Sequence, residues 1–108
     1  MMMNCGGALM AKKRRYHPSV AEDLSAAVSY YDDISVDLGK RFRVSVRNRL
    51  RVILDRPESF ARIHDEMRAT MTDRFPYVIL FEDRAEFVAI LGIFHAASDQ
   101  PGWFTRSF

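Results

Sequence analysis

The sequence predicts an α+β domain with elements in the order β-α-α-β-β-β, a helical hairpin packed on a small, mostly antiparallel sheet. Three observations carry this. Two consecutive stretches between Ser19 and Leu54 repeat apolar residues at helical spacing. Beyond Pro57 the apolar pattern changes to alternation and then to short continuous runs, the signature of strands. The chain has 108 residues, enough to bury one core and too few for two. A hydrophobic share of 48% and a charged share of 28% belong to a folded domain, which excludes disorder or a collagen-like repeat for most of its length. One domain is expected over 12–108, with 1–11 as a disordered N-terminal extension and either Met1 or Met10 as the start.

Each element has its own warrant. Lys13–His17 reads as a short strand that stops at Pro18, because proline drives the residue before it out of the helical region. Ser19 with Glu22 three residues later forms an S-x-x-E capping box, and Val20, Leu24, Ala27, Val28 and Tyr31 then recur on one helical face, so a helix is expected over Ser19–Ser35. Asp37 through Gly39 reads as the interruption. A second helix follows, with Leu38, Phe42, Val46, Leu50, Ile53 and Leu54 on its apolar stripe and Pro57 at its end. Two helices this close in sequence make an antiparallel hairpin. Met67, Ala69 and Met71 alternate with Arg68, Thr70 and Thr72, as in a half-exposed strand. Phe75–Phe81 and Phe87–Phe94 are apolar runs across the polar turn Glu82–Glu86, which reads as a buried β-hairpin with Phe75, Tyr77, Ile79, Val88, Ile90 and Ile93 in the core. The tail from Ala96, with Pro101 and Gly102, is expected to be irregular.

Net charge is +2, which does not mark a nucleic-acid binder, but the charge is segmented. Residues 1–20 carry +4; residues 21–36, holding Glu22, Asp23, Asp32 and Asp33, carry −4; residues 37–56 carry +5; the remainder carries −3. An acidic first helix beside an Arg-rich second one implies a polarised surface and so a partner. Cys5 is the sole cysteine, which leaves no internal disulfide and fits a reducing, cytoplasmic compartment. Met1–Ala11 has no basic residue ahead of its apolar stretch and makes a poor signal peptide. No run approaches the roughly 20 apolar residues a membrane span needs.

At this point a family resemblance enters. Tyr16-His17-Pro18 opens the first helix, Ala26-Ala27-Val28-Ser29-Tyr30-Tyr31 lies within it, and Leu38-Gly39-Lys40-Arg41-Phe42 opens the second. Arg56-Pro57-Glu58 ends that helix, and Arg68 precedes the central strand, which carries Arg74-Phe75-Pro76-Tyr77. Phe94-His95, Pro101 and Trp103 close the series. In this order and spacing, from about Arg14 to Trp103, the chain resembles the RelE/ParE toxins of bacterial type II toxin–antitoxin modules, closer to the ParE and plasmid-stabilisation branch. The resemblance implies a toxin neutralised by a cognate antitoxin in a hetero-oligomer. It implies action either on a protein target, DNA gyrase, as in the ParE-like branch, or as a ribosome-dependent mRNA interferase, as in the RelE-like branch, with a degenerate inactive member as a third reading. The RelE-type pattern has an arginine directly after the central-strand tyrosine, where this chain has Val78. The ParE-like pattern has an arginine three residues past the histidine, where this chain has Ser98, and a tyrosine near the strand end is Phe81. Three polar groups lost from what reads as one cleft favour the binding branch and weigh against direct nucleic-acid contact.

Candidate site residues follow. Lys40, Arg43, Arg47 and Arg51 recur at i, i+3, i+7 and i+11 and share one helix face. Such a row is a solvated face, a contact for the phosphates of RNA or DNA or, as the resemblance implies, the rim contact for an antitoxin segment, with Tyr30 lining the groove. For catalysis, Arg68, Arg74 and His95 are the weak candidates. His95 reads either as a base partnered by Asp99 or as a structural histidine holding the C-terminal loop, the second being favoured. Trp103, Phe104 and Phe108 either pack on the sheet or anchor a target, with packing favoured for Trp103 and contact for Phe108. His17, His64 and Cys5 lack metal-ligand spacing, and no cofactor or membrane is implied.

Overall fold

A computed structural model of the chain describes residues 13–107. The expected extension over 1–11, with Cys5 and both candidate start methionines, and the candidate contact Phe108 lie outside the described residues. The elements are strand β1 (Lys13–Tyr16), helices α1 (Val20–Ile34) and α2 (Val36–Asp55), a 3-10 turn at Pro57–Ser59, strands β2 (Arg62–His64), β3 (Met67–Met71), β4 (Tyr77–Asp83) and β5 (Phe87–His95), and a short helix α3 (Gln100–Trp103). The five strands form one mixed sheet in the order β1-β5-β4-β3-β2, with β1 parallel to β5 and every other pair antiparallel. This is the expected α+β architecture.

The local chemistry differs from the sequence reading at four places. Ser19 already has helical dihedrals (φ −82°, ψ −7°) and its side chain caps nothing. His17 takes that role, its Nδ1 accepting the Ser19 N–H at 3.0 Å, so the capping box with Glu22 does not form. The hairpin breaks at Ser35 alone, which is extended (φ −164°, ψ 145°) and whose Oγ accepts the Leu38 N–H at 3.0 Å. Gly39 therefore sits inside α2 and is buried. A Cβ there would overlap the Asp32 carboxylate of α1, so the glycine sets how closely the two helices approach rather than where the chain turns. Strand β2 was not expected, because three residues are too few to show a period. It exists through pairing with β3 across Asp65–Glu66, with Asp65 at φ 50°. The tail from Ala96, expected to be irregular, contains α3.

Alternation in β4 and β5 divides the core between two faces. Ile79, Phe81, Val88, Ile90 and Ile93 face the helices and meet Val20, Ala27, Val28, Tyr31, Phe42, Val46 and Ile53. Tyr31, Phe42, Phe75 and Tyr77 pack ring against ring there, with centroids 4.9–6.1 Å apart. Val78, Leu80, Ala89 and Leu91 face the other way, where Met67 and Trp103 complete a smaller cluster. Leu80 pairs with Gly92 and Phe81 with Ile90, so Leu91 is an extra residue in β5, a bulge.

Candidate functional site

Between α1 and α2 runs an open groove of about 630 Å³. Leu24, Val28, Val46 and Leu50 give it apolar lining; Ala21, Ser25 and Ser29, one helical turn apart, keep one wall low; Arg43 and Arg47 stand on the other. It shares Arg47 and Leu50 with a neighbouring groove of about 480 Å³, lined further by Arg14, Tyr16, Arg51, Leu54 and Asp55. Together they lead from the helical hairpin to β1, whose four residues are exposed and which, among the described residues, pairs with β5 alone. Among the described residues Arg43 and Arg47 have no hydrogen-bond or ion-pair partner, and Arg51 reaches only Asn48, at 3.4 Å. Their charge is therefore available to a partner, while leucine and valine beneath them offer apolar area, the composition of a helix-in-groove site.

The predicted basic row is not one site. Arg43, Arg47 and Arg51 border the paired grooves, whereas Lys40 lines a different groove on the opposite flank of α2. Tyr30 lines neither of the paired grooves: it is 60% exposed on the far side of α1 and touches Tyr31 edge-on at 5.1 Å. Tyr31 is buried, as its place on the apolar stripe required. Burial first, then the neighbouring Tyr77 and Tyr30 hydroxyls, raise the Tyr31 pKa above the ordinary 10.0. Tyr77 is raised the same way, by burial and then by Tyr30.

The residues after β5 form a strap over the second face of the sheet. His95 holds the start of this strap: its Nδ1 accepts the Ala97 N–H at 3.0 Å, its carbonyl accepts the Ser98 N–H and hydroxyl, and its ring meets Tyr77 edge-on. Ser98 Oγ also accepts the Trp103 indole N–H at 2.9 Å. Trp103, 5% exposed, stacks on Phe94 at 5.1 Å and 5°, so it is a packing residue, and Phe104, half-buried, stacks on His64 at 4.3 Å and 8°. Gly92 makes room for this arrangement, since a Cβ there would enter the Phe94 ring.

Sequence reasoning missed the pair that fastens the strap. The Arg106 guanidinium grips both oxygens of Asp23 on α1, also donates to the Leu91 carbonyl at 3.1 Å, and lies 4.6 Å over the Phe94 ring. Asp23 Oδ2 in turn accepts the Ile93 N–H at 3.1 Å. Strand β1 reaches Ile90 in register, so among the described residues the β5 backbone beyond the bulge has no neighbouring strand on that edge. Two side chains from distant parts of the sequence take its place. No local signal announces them, because residues 23 and 106 share no periodicity.

Arg68, Arg74 and His95 do not share a site. The Arg68 guanidinium donates to the carbonyls of Glu58 and Phe60, Arg74 lies exposed in the β3–β4 turn, and His95 is engaged as described. The three departures in the resemblance do not share one cleft either. Val78 is buried toward the strap, Ser98 holds Trp103, and Phe81 is fully buried on the helix side against Phe60. Alternation along β4 sends residues 78 and 81 to opposite faces. Among the described residues no three His, Cys, Asp or Glu side chains gather as metal ligands, and no helix is long and apolar enough to cross a membrane.

No protein-family model and no curated protein sequence matches the chain. Its structure, however, is similar to a solved chain from the chromosomal ParDE TA system (a toxin–antitoxin system) of P. aeruginosa, with a TM-score of 0.69 at 16% identity. The match covers 80% of this chain and 97% of that one. At that identity the likeness is one of fold: the chain is an α+β domain that shares the architecture of that chain.

Proposed function

We propose that the chain is the toxin of a type II toxin–antitoxin pair and acts in the ParE-like manner, by binding DNA gyrase in the cytoplasm, and that a cognate antitoxin neutralises it by occupying the groove between α1 and α2. The observation that carries this reading is the likeness of fold over 97% of a chain from a ParDE toxin–antitoxin system. The groove supports it further: leucine and valine give an amphipathic segment its anchor, and Arg43, Arg47 and Arg51 supply cations to carboxylates on the segment's rim. Binding rather than RNA cleavage is favoured because Val78, at the position of an arginine in the RelE-type pattern, is buried in the cluster beneath the strap. Phosphoryl chemistry would need charge at such a position.

Tightly controlled induction of the chain in bacteria tests this. Filamentation with a DNA-damage response, together with loss of supercoiling by purified gyrase on adding the protein, is the expected result. Unimpaired growth would overturn it in favour of an inactive relative. Immediate translation arrest with mRNA cut on ribosomes would overturn it in favour of an interferase.

A further inference from the structure

The opposite flank of α2 carries a second groove, of about 540 Å³, between the helix and the β3–β4 turn. Leu38, Val44 and Phe75 provide its apolar surface, and Val44 is 45% exposed although it lies mid-helix. Lys40 and Arg41 border it from α2 and Arg74 from the turn. Among the described residues Lys40 and Arg74 have no hydrogen-bond or ion-pair partner, whereas Arg41 pairs with Asp37 at 2.9 Å and Asp73 with Arg49 at 3.1 Å. The acidic groups here are thus matched within the fold, and two cations are left over.

Arg74 is held in a costly conformation. Its φ of 68° lies in the left-handed region, which glycine or asparagine occupies more cheaply. The turn around it is fixed: the Ser45 hydroxyl donates to the Asp73 carbonyl at 2.8 Å, the Thr72 hydroxyl to the Phe75 carbonyl at 3.0 Å, and the Tyr77 N–H to the Phe75 carbonyl at 2.8 Å. None of these bonds uses the Arg74 side chain. A strained, rigidly presented arginine whose guanidinium does nothing for the fold is what a binding surface requires and stability alone does not.

We infer that this groove docks an acidic amphipathic helix from a partner protein, its apolar stripe on Leu38, Val44 and Phe75 and its carboxylates reaching Lys40 and Arg74. Leu38 to Asn48 spans about 15 Å of helix, room for roughly three turns of a helix lying alongside α2. The apolar surface of Leu38, Val44 and Phe75 favours a peptide, which has an apolar stripe to bury there, over a nucleic-acid backbone, which has none. The site is separate from the groove assigned to the antitoxin, so it stands or falls independently of that assignment.

The test uses the full chain and a synthetic amphipathic peptide of three to four turns, leucines on one face and glutamates beside them. A version with lysine for glutamate and a single-stranded RNA of equal negative charge serve as controls. NMR titration is expected to shift the amides of Lys40, Val44, Asn48 and Phe75 with the glutamate peptide, and not with the lysine version. Arg74→Gly should weaken that binding by about fivefold or more while raising Tm by a few degrees, because the turn is relieved of strain as a contact is lost. Lys40→Glu, a surface change, should weaken binding without moving Tm. Unchanged affinity in both variants, shifts confined to Arg47 and Leu50, or RNA binding at the same amides more tightly than the peptide would each overturn the inference.

Discussion

The two faces of the sheet are covered by different means. On one side a helical hairpin lays down a large cluster in which Tyr31, Phe42, Phe75 and Tyr77 interlock. On the other, a strap with one four-residue helix in it covers Val78, Leu80, Ala89 and Leu91, and it is fastened by Asp23–Arg106 and Ser98–Trp103. The first side is held by area, spread over many side chains. The second is held by a few polar contacts in specific geometry. The first side should therefore fail only as a whole, and the second should come loose locally.

Phe42 is fully buried among aromatic rings, and Phe42→Ala should cost about 3–5 kcal/mol. Chemical denaturation should show both faces lost in one transition; separate transitions would break the contrast. Arg106→Ala should cost less, about 2–4 kcal/mol, because it strands Asp23, which is mostly covered, while the helical face survives. Trp103 fluorescence and hydrogen exchange at Ile93 should change well before helical circular dichroism does. If they move together with it, the strap is not a separate unit.

Ser98→Ala removes the acceptor of the Trp103 indole N–H and should cost about 1 kcal/mol, with the effect confined to the strap. The smallest effect comes from alkaline pH. Tyr31 and Tyr77 ionise above the ordinary value of 10.0 when folded, so the unfolded chain releases its protons first. Their contribution is fully present below pH 10 and is lost as pH rises through the raised folded values. Stability should decline there, and less steeply in Tyr31→Phe. An unaltered slope in that variant would show that the decline originates elsewhere.

Legibility in the sequence follows the same divide. The helices, β3, the β4–β5 hairpin and the core positions Phe75, Tyr77, Ile79, Val88, Ile90 and Ile93 were readable, since each rests on a local period. Ser35 and Gly39 show where local reading stops. Both look like breakers, but only the backbone distinguishes the residue that turns the chain from the one that admits Asp32. The basic row was visible as a helix face, yet its division into two flanks depends on what packs beside α2. His17 displaced the expected Ser19–Glu22 cap because the chain leaves β1 with its imidazole already at the helix start.

By itself, the sequence determined the fold class and the order of its principal elements, because apolar spacing is a property of neighbouring residues. Tertiary structure alone decided the Asp23–Arg106 fastening, the opposite facings of Val78 and Phe81, and the pairing of β2. It also decided the two grooves beside α2. Each of these depends on residues brought together from far apart in the chain, by closure of the sheet and the approach of the helices, and no local pattern records such a meeting.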